Sequence, residues 1–110
     1  MINKLFVYGT LAPGKPNEHF LSVLAGSWQP ARVKGHLLEA GWGADAGCPG
    51  VKLDSNGDDV NGLIFTSVDL EDNWEKLDNF EGDEYLQVLV SAELEDGSTQ
   101  QVYIYELSDV

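Results

Sequence analysis

Two short segments of the sequence combine residue types that can do chemistry. The first consists of Tyr8, Gly9, Thr10 and Leu11, which directly follow an apolar run typical of a buried strand. A glycine at this point lets the backbone approach a ligand, and successive backbone N–H groups can then point into one concavity. Such a loop suits a carboxylate or an oxyanion. Taken alone, the pattern also fits a plain tight turn, which is the commoner structure.

The second segment is centred on Glu81, at the predicted junction of a helix with the next strand. Acidic residues normally avoid helix C-termini, because the helix dipole is negative there. With Asp78, Asp83 and Glu84 nearby in the sequence, the ionised form of Glu81 should be disfavoured, which is useful in a general base. Taken alone, the same residues also fit an exposed acidic turn.

The acidic segment 54–58 superficially matches the start of a calcium-binding loop. Phe65, however, occupies the twelfth position, where a bidentate Glu is required, and the flanking segments are predicted strands. The pair Asn56 and Gly57 is typical of a hairpin turn, in which both residues readily take positive φ. We therefore expect a hairpin here and no metal site.

Cys48 is the one cysteine of the chain, so it cannot form an internal disulfide. As a nucleophile it would need His19 or His36 as its base, and lone residues of these types more often pack or lie at the surface. The three side chains do not have the spacing of a zinc site.

The elements that must position these segments are mainly strands. Alternating or continuous apolar runs bounded by turn residues predict about six of them. The predicted strands cover residues 5–8, part of 28–40, 51–53, 60–66, 85–94 and 100–105. Pro30 indicates that the second strand begins at an edge or a bend.

Two helices are predicted beside these strands. One begins after Asn17, and the other is capped by Ser67 or Asp69 and has Leu70, Trp74 and Leu77 on one face. Strands in excess of helices on a short chain predict an α+β fold. We expect a small, curled, mixed or mostly antiparallel barrel-like sheet flanked by two or so helices.

The composition fits a single domain over residues 1–110, since 110 residues can bury one core and 43% of them are hydrophobic. A net charge of −13 would repel nucleic acid and anionic membranes, so neither is an expected partner. The sequence starts with no signal peptide, and its apolar runs are too short to cross a bilayer. We expect a cytoplasmic protein that is a monomer or a weak homo-oligomer.

Residues 5–11 and 77–82, taken together with Tyr85, resemble the γ-glutamylcyclotransferase-like family, especially its small branch of γ-glutamylamine cyclotransferase and the plant AIG2-like proteins. Two motifs in the same order are far more specific than either alone. Further segments that resemble the family are residues 15–17, 47–50, 60–65 and 102–105.

The resemblance implies one pocket and an enzyme that closes the γ-glutamyl group of a small γ-glutamyl substrate to 5-oxoproline, releasing an amine. It implies that the loop from Tyr8 to Leu11 holds the substrate through backbone N–H groups, that Tyr85 helps to bind it, and that Glu81 accepts and returns a proton. It implies no metal or organic cofactor.

Two residues depart from the family pattern. Gln87 stands where many relatives have Arg, and Cys48 replaces a commoner aromatic residue. These departures leave open how the far end of the substrate is held. The alternative to a cyclotransferase is a non-catalytic ligand-binding or stress-associated domain of the same fold, and an acidic protein-interaction module is more remote.

The net charge predicts how stability responds to salt. Nineteen acidic residues against six basic ones should repel one another at low ionic strength, and salt screens such repulsion. The melting temperature should therefore rise with sodium chloride concentration, as measured by circular dichroism. A flat or falling curve would show that the charges are already well solvated.

Overall fold

A six-stranded sheet with one flanking α-helix forms most of the part of the chain that the structure describes. The structure is a computed structural model, and it describes residues 2–8, 21, 24–38, 50–81 and 85–107, without the side chains of Leu38, Phe80 and Glu81. The elements are β1 Lys4–Val7, β2 Ser27–Leu38, β3 Gly50–Leu53, β4 Asp58–Thr66, a 3₁₀ helix Val68–Asp72, helix α1 Trp74–Glu81, β5 Tyr85–Leu94 and β6 Thr99–Leu107.

Five of the strands close into a barrel. The pairings run from β1 to β4, β2, β5 and β6, and β6 pairs back with β1. The closing pair joins Leu5 of β1 to Tyr103 of β6 in parallel, while Tyr103 pairs on its other side with Leu89 of β5. Strand β3 is the additional strand, antiparallel to β2 and parallel to β6. The predicted α+β, barrel-like sheet is confirmed.

The strands divide the apolar side chains between two layers, because successive side chains point to opposite faces. The inner layer fills the barrel with Phe6, Val33, Ile64, Val102, Ile104 and their neighbours. The outer layer packs under the helical segments and contains Leu5, Val7, Phe65, Leu70, Leu77, Tyr85, Tyr105 and Leu107, together with Leu21. The site elements therefore rest on two cores, one on each side of β1 and β6.

The turn between β3 and β4 carries the chain across β2. Gly35 of β2 pairs with Leu53 of β3 on one edge and with Asp58 of β4 on the other. Both strands are antiparallel to β2, so they run in the same direction and do not pair as a hairpin. The predicted Asn56-Gly57 hairpin is therefore wrong.

Two glycines make this crossing possible. A Cβ on Gly57 would lie 2.7 Å from the carbonyl oxygen of Gly35, and a Cβ on Gly35 would lie 2.6 Å from that of Lys52. The absence of side chains lets the two backbone segments pass in contact. Among the described glycines only Gly97, in the turn between β5 and β6, has a positive φ, of 88°.

The predicted second helix is confirmed in position but is divided in two. Ser67 caps the 3₁₀ helix, and its hydroxyl accepts from the Asp69 N–H at 3.1 Å. The Asn73 side chain donates to the Asp69 carbonyl at 2.7 Å, and the Asn73 backbone has φ −121° and ψ −1°. Asn commonly competes with helix hydrogen bonds in this way, so α1 starts anew at Trp74.

Other sequence predictions have mixed outcomes. The first predicted helix lies outside the described residues apart from Leu21 and the segment after residue 23. Pro30 lies in β2 opposite Leu63 of β4, and within the described chain the other edge of β2 is paired only from Ala31 onward. That fits its expected place at an edge. No helix in the described ranges has the length and hydropathy needed to span a membrane.

The crossing predicts a specific sensitivity at Gly57. Gly57→Ala should lower the free energy of unfolding by about 1–3 kcal/mol, because the added methyl group would force the Gly35 backbone to move. Urea unfolding measures this change. Ser55→Ala, at an exposed position of the same turn, is the matched control and should change stability by less than about 0.5 kcal/mol. Equal stability of the two variants would contradict the close approach.

Candidate functional site

The Tyr8 side chain hydrogen-bonds to one edge of β6. Strands β1 and β3 share that edge, with Leu5 opposite Tyr103 and Val51 opposite Glu106. Between these pairs the Tyr8 hydroxyl donates to the Tyr105 carbonyl at 2.6 Å and accepts from the Val51 N–H at 3.1 Å. The first candidate segment therefore starts from a residue bound to two strands at once.

Tyr105 connects this junction to helix α1. Its side chain is 5% exposed and points to the helix side of the sheet, where its hydroxyl donates to Asp78 Oδ1 at 2.6 Å. The Gln87 amide donates to the Tyr105 hydroxyl at 3.2 Å and to Asp78 Oδ1 at 3.4 Å. The three side chains form one polar cluster between β5, β6 and α1.

Asp78 lies one helical turn before Glu81, which is the last residue of α1. Residues three apart in a helix lie on neighbouring positions of the same face. The predicted placement of Glu81 at the junction of a helix and a strand is confirmed, because β5 begins at Tyr85. Its side chain is outside the described part of the structure.

The other predicted site residues have different outcomes. Tyr85 opens β5, is 7% exposed and belongs to the outer core layer, where it pairs with Leu107. Gly9, Thr10 and Leu11 lie outside the described residues. That the loop and Glu81 share a cavity therefore stays a prediction, supported by the fact that Tyr8 and Asp78 both contact Tyr105.

Sequence reasoning missed the role of three polar residues. It assigned no contact to Asp78 or Tyr105, although both lie in segments that resemble the family, and it took Gln87 as a departure that concerns the far end of the substrate. The structure instead brings them into contact across 27 and 18 positions of sequence. A weak signal was present, because a Tyr placed in a buried strand usually needs a partner for its hydroxyl.

Some carboxyl groups at the surface accept local hydrogen bonds. Three of them, Asp54, Asp59 and Asp96, have a pKa below the usual value because hydrogen bonds favour the ionised form. The donors are Asn56 and His36 for Asp54, Lys34 for Asp59 and Ser98 for Asp96. Their contribution to stability is present at neutral pH and is lost as the pH falls through their folded-state pKa values. His36 Nε2 lies 3.0 Å from Asp54 Oδ2, so the structure gives this ring a carboxylate partner.

A surface cavity of about 190 Å³ is lined by residues of β2, β4 and β5, none of which belongs to the polar cluster. Its charged walls pair with one another: Arg32 contacts Asp59 and Glu93, and Lys34 contacts Asp59 at 2.5 Å. Exposed pairs of this kind contribute little to stability, and here they leave the cavity without an excess of either charge. We do not assign the chemistry to it.

Comparison with known proteins identifies the family to which the chain belongs. The sequence model of the family described as "Gamma-glutamyl cyclotransferase, AIG2-like" matches residues 5–110. No curated protein sequence matches significantly.

Solved structures share the fold. An AIG2-like protein from Mus musculus superimposes with a TM-score of 0.78 at 24% identity, over 99% of this chain and 79% of that one. YkqA from Bacillus subtilis has a TM-score of 0.76 at 30% identity, over 98% of this chain and 36% of its own. A protein named as a gamma-glutamyl cyclotransferase has a TM-score of 0.70 at 19% identity, over 96% of this chain and 66% of its own.

The junction at Tyr8 predicts the effect of removing one hydroxyl. Tyr8→Phe leaves the Tyr105 carbonyl and the Val51 N–H without this partner, so the free energy of unfolding should fall by about 1–3 kcal/mol in urea. Tyr103→Phe is the control, since no described residue hydrogen-bonds to the Tyr103 hydroxyl. If both variants were equally stable, water would satisfy the two backbone groups and the Tyr8 hydroxyl would be dispensable.

Proposed function

Because the chain belongs to the AIG2-like gamma-glutamyl cyclotransferase family, we propose that it cyclises the γ-glutamyl group of a small γ-glutamyl amine or amide. The products are 5-oxoproline and the released amine. The observation that supports this most is the hydrogen-bonded series from Tyr8 through Tyr105 to Asp78, which joins the start of the loop to the helix that ends at Glu81. A catalyst of this reaction needs both segments at one place.

The proposed reaction is an internal acyl transfer. The α-amino nitrogen of the substrate attacks its own γ-carbonyl carbon, a new C–N bond closes the five-membered ring, and the original amide C–N bond breaks. The attacking nitrogen loses two protons between the α-ammonium group and the lactam N–H, and the departing nitrogen gains two when it is released as an ammonium group. The two reacting groups are already in one molecule, so holding the substrate folded back on itself can contribute several kcal/mol.

The loop that follows Tyr8 is proposed to hold the substrate. Backbone N–H groups of Gly9, Thr10 and Leu11 would bind the α-carboxylate and the carbonyl oxygen on which negative charge develops. A tyrosine hydroxyl has one proton to donate, and that of Tyr8 goes to the Tyr105 carbonyl. Tyr8 therefore contributes by fixing the start of the loop, while the donors to the substrate come from the backbone beyond it.

Tyr85 is proposed to form part of the pocket wall. It is buried at the start of β5, four residues after Glu81, and it packs in the outer core layer with Tyr105 and Leu107. An aromatic wall at this place would exclude water from the reacting atoms, which strengthens hydrogen bonds to the developing charge.

Glu81 is proposed to move the proton. A carboxylate can take the proton of the α-ammonium group and then return one to the leaving nitrogen. With reference pKa values of about 4.3 for Glu and about 8 for an α-amine, the first transfer is uphill by about 5 kcal/mol. Folding the substrate back on itself does not remove this proton, so the proton transfer needs a positioned side chain.

The test of the proposed function is 5-oxoproline release from a panel of γ-glutamyl compounds that differ in the leaving amine. Product formation with purified protein supports a cyclotransferase, and the ranking of kcat/KM across the panel gives the preferred amine. Binding of several compounds without any product would instead establish the non-catalytic ligand-binding domain.

Replacement of Glu81 predicts a loss of turnover without loss of binding. Gln has the size of Glu and a hydrogen-bonding oxygen, but it cannot accept and return a proton at neutral pH. Glu81→Gln should lower kcat by about 10²-fold or more, and the affinity for 5-oxoproline should change little. Kinetic assays and calorimetric titration measure the two quantities.

The matched control is Glu75→Gln, an exposed carboxylate in the first turn of the same helix. It removes the same charge and should leave kcat within about twofold of the unmodified protein. Asp78 is unsuitable as a control, because its carboxylate binds Tyr105 and Gln87. Near-normal product formation by Glu81→Gln would remove Glu81 from the mechanism even if the enzyme were active.

A further inference from the structure

We infer that Tyr105 is a positioning residue that holds the helix ending at Glu81 in register with the loop that begins after Tyr8. The inference rests on the proposed function for its catalytic consequence and on geometry for its structural one. Tyr105 makes one hydrogen bond with its backbone and one with its side chain. Its carbonyl oxygen accepts from the Tyr8 hydroxyl, and its own hydroxyl donates to Asp78 Oδ1, each at 2.6 Å.

Helix α1 depends on contacts of this kind for its position. It spans only the eight residues Trp74–Glu81, and isolated helices shorter than about 12–15 residues are marginal in water. Its anchors are therefore tertiary. Leu77 is buried in the outer core layer, and two tyrosines of β6 engage residues on either side of it.

The two tyrosines bind the helix in different ways. Tyr103 meets the first residue of α1, since its ring lies edge-on to Trp74 with centroids 5.0 Å apart. Tyr105, two residues further along the same face of β6, meets Asp78 through a hydrogen bond. The hydrogen bond from Tyr105 to Asp78 is thus the contact nearer to Glu81. It is also directional, unlike the apolar contact between Tyr103 and Trp74.

Gln87 strengthens the same anchor from the neighbouring strand. Its amide donates to both the Tyr105 hydroxyl and Asp78 Oδ1, so the hydroxyl is oriented as an acceptor from β5 and a donor to α1. Hydrogen bonds to an ionised group are typically stronger than those between neutral groups. The cluster therefore limits how far the C-terminal turn of α1 can move relative to β6.

The experiment compares Tyr105→Phe with Tyr103→Phe. Both variants remove one hydroxyl from the same face of the same strand and keep the aromatic ring, but only the first breaks a bond to α1. Tyr105→Phe should lower kcat by about tenfold with KM changed by less than about twofold, because misplacement of a proton carrier affects turnover more than binding. Tyr103→Phe should leave both parameters within about twofold.

A second variant tests whether Tyr105 acts through Asp78. Asp78→Asn keeps an oxygen that can accept the tyrosine proton, so it should retain more activity than Asp78→Ala. The double variant Tyr105→Phe with Asp78→Ala should be no slower than the slower single variant, since both changes remove one shared interaction. Independent, multiplicative losses would overturn the inference.

Amide hydrogen exchange of residues 74–81 gives a readout without substrate. Exchange there should be faster in Tyr105→Phe than in the unmodified protein and unchanged in Tyr103→Phe. If the unmodified protein makes 5-oxoproline while the two variants match in both kcat and exchange, the inference is overturned and the proposed function stands. If the unmodified protein makes no product from any compound, the proposed function fails. Exchange then decides alone, with faster exchange in Tyr105→Phe supporting the anchor and equal exchange overturning it.

Discussion

The backbone groups along one edge of β6 must all find partners, and this requirement organises the end of the barrel where the candidate site lies. Strand β5 pairs with the opposite edge of β6 over nine residue pairs, so β1 and β3 have to share what is left. Between the positions where these two strands pair with β6, the Tyr8 hydroxyl donates to the Tyr105 carbonyl and accepts from the Val51 N–H. A side chain thus links the two strands that share this edge.

Tyr105, whose carbonyl accepts from the Tyr8 hydroxyl, makes a second polar contact through its side chain. That side chain lies in the outer core layer, where its buried hydroxyl also requires a partner. Asp78 and Gln87 provide it. The position proposed for Glu81 therefore depends on hydrogen bonds made by a residue of β6, the strand that also closes the barrel. Stability and function are difficult to separate at Tyr105, which is why a matched tyrosine on the same strand is informative.

Sequence patterns correctly predicted the features that depend on interactions between neighbouring residues. The position of Glu81 at a helix end, the Ser67 cap and the strand from residue 85 to 94 follow from neighbouring residue types, and the structure confirms them. The crossing of β2 depends on contact between Gly57 and Gly35, which are far apart in sequence. Local preference for an Asn-Gly hairpin could not reveal it. The bond from Tyr105 to Asp78 has the same long-range character, so spacing alone does not show it.

The pairing of Leu5 with Tyr103 also determines the order in which the molecule can assemble. Closing a loop of nearly the whole chain is entropically costly, and contacts of large sequence separation slow folding. The β5 and β6 hairpin and the β2 and β4 pair involve shorter loops, so they can form earlier. On the ribosome the barrel cannot close until β6 has emerged. Because Tyr105 lies in β6, the helix that ends at Glu81 gains its polar anchor only after that strand has been synthesised.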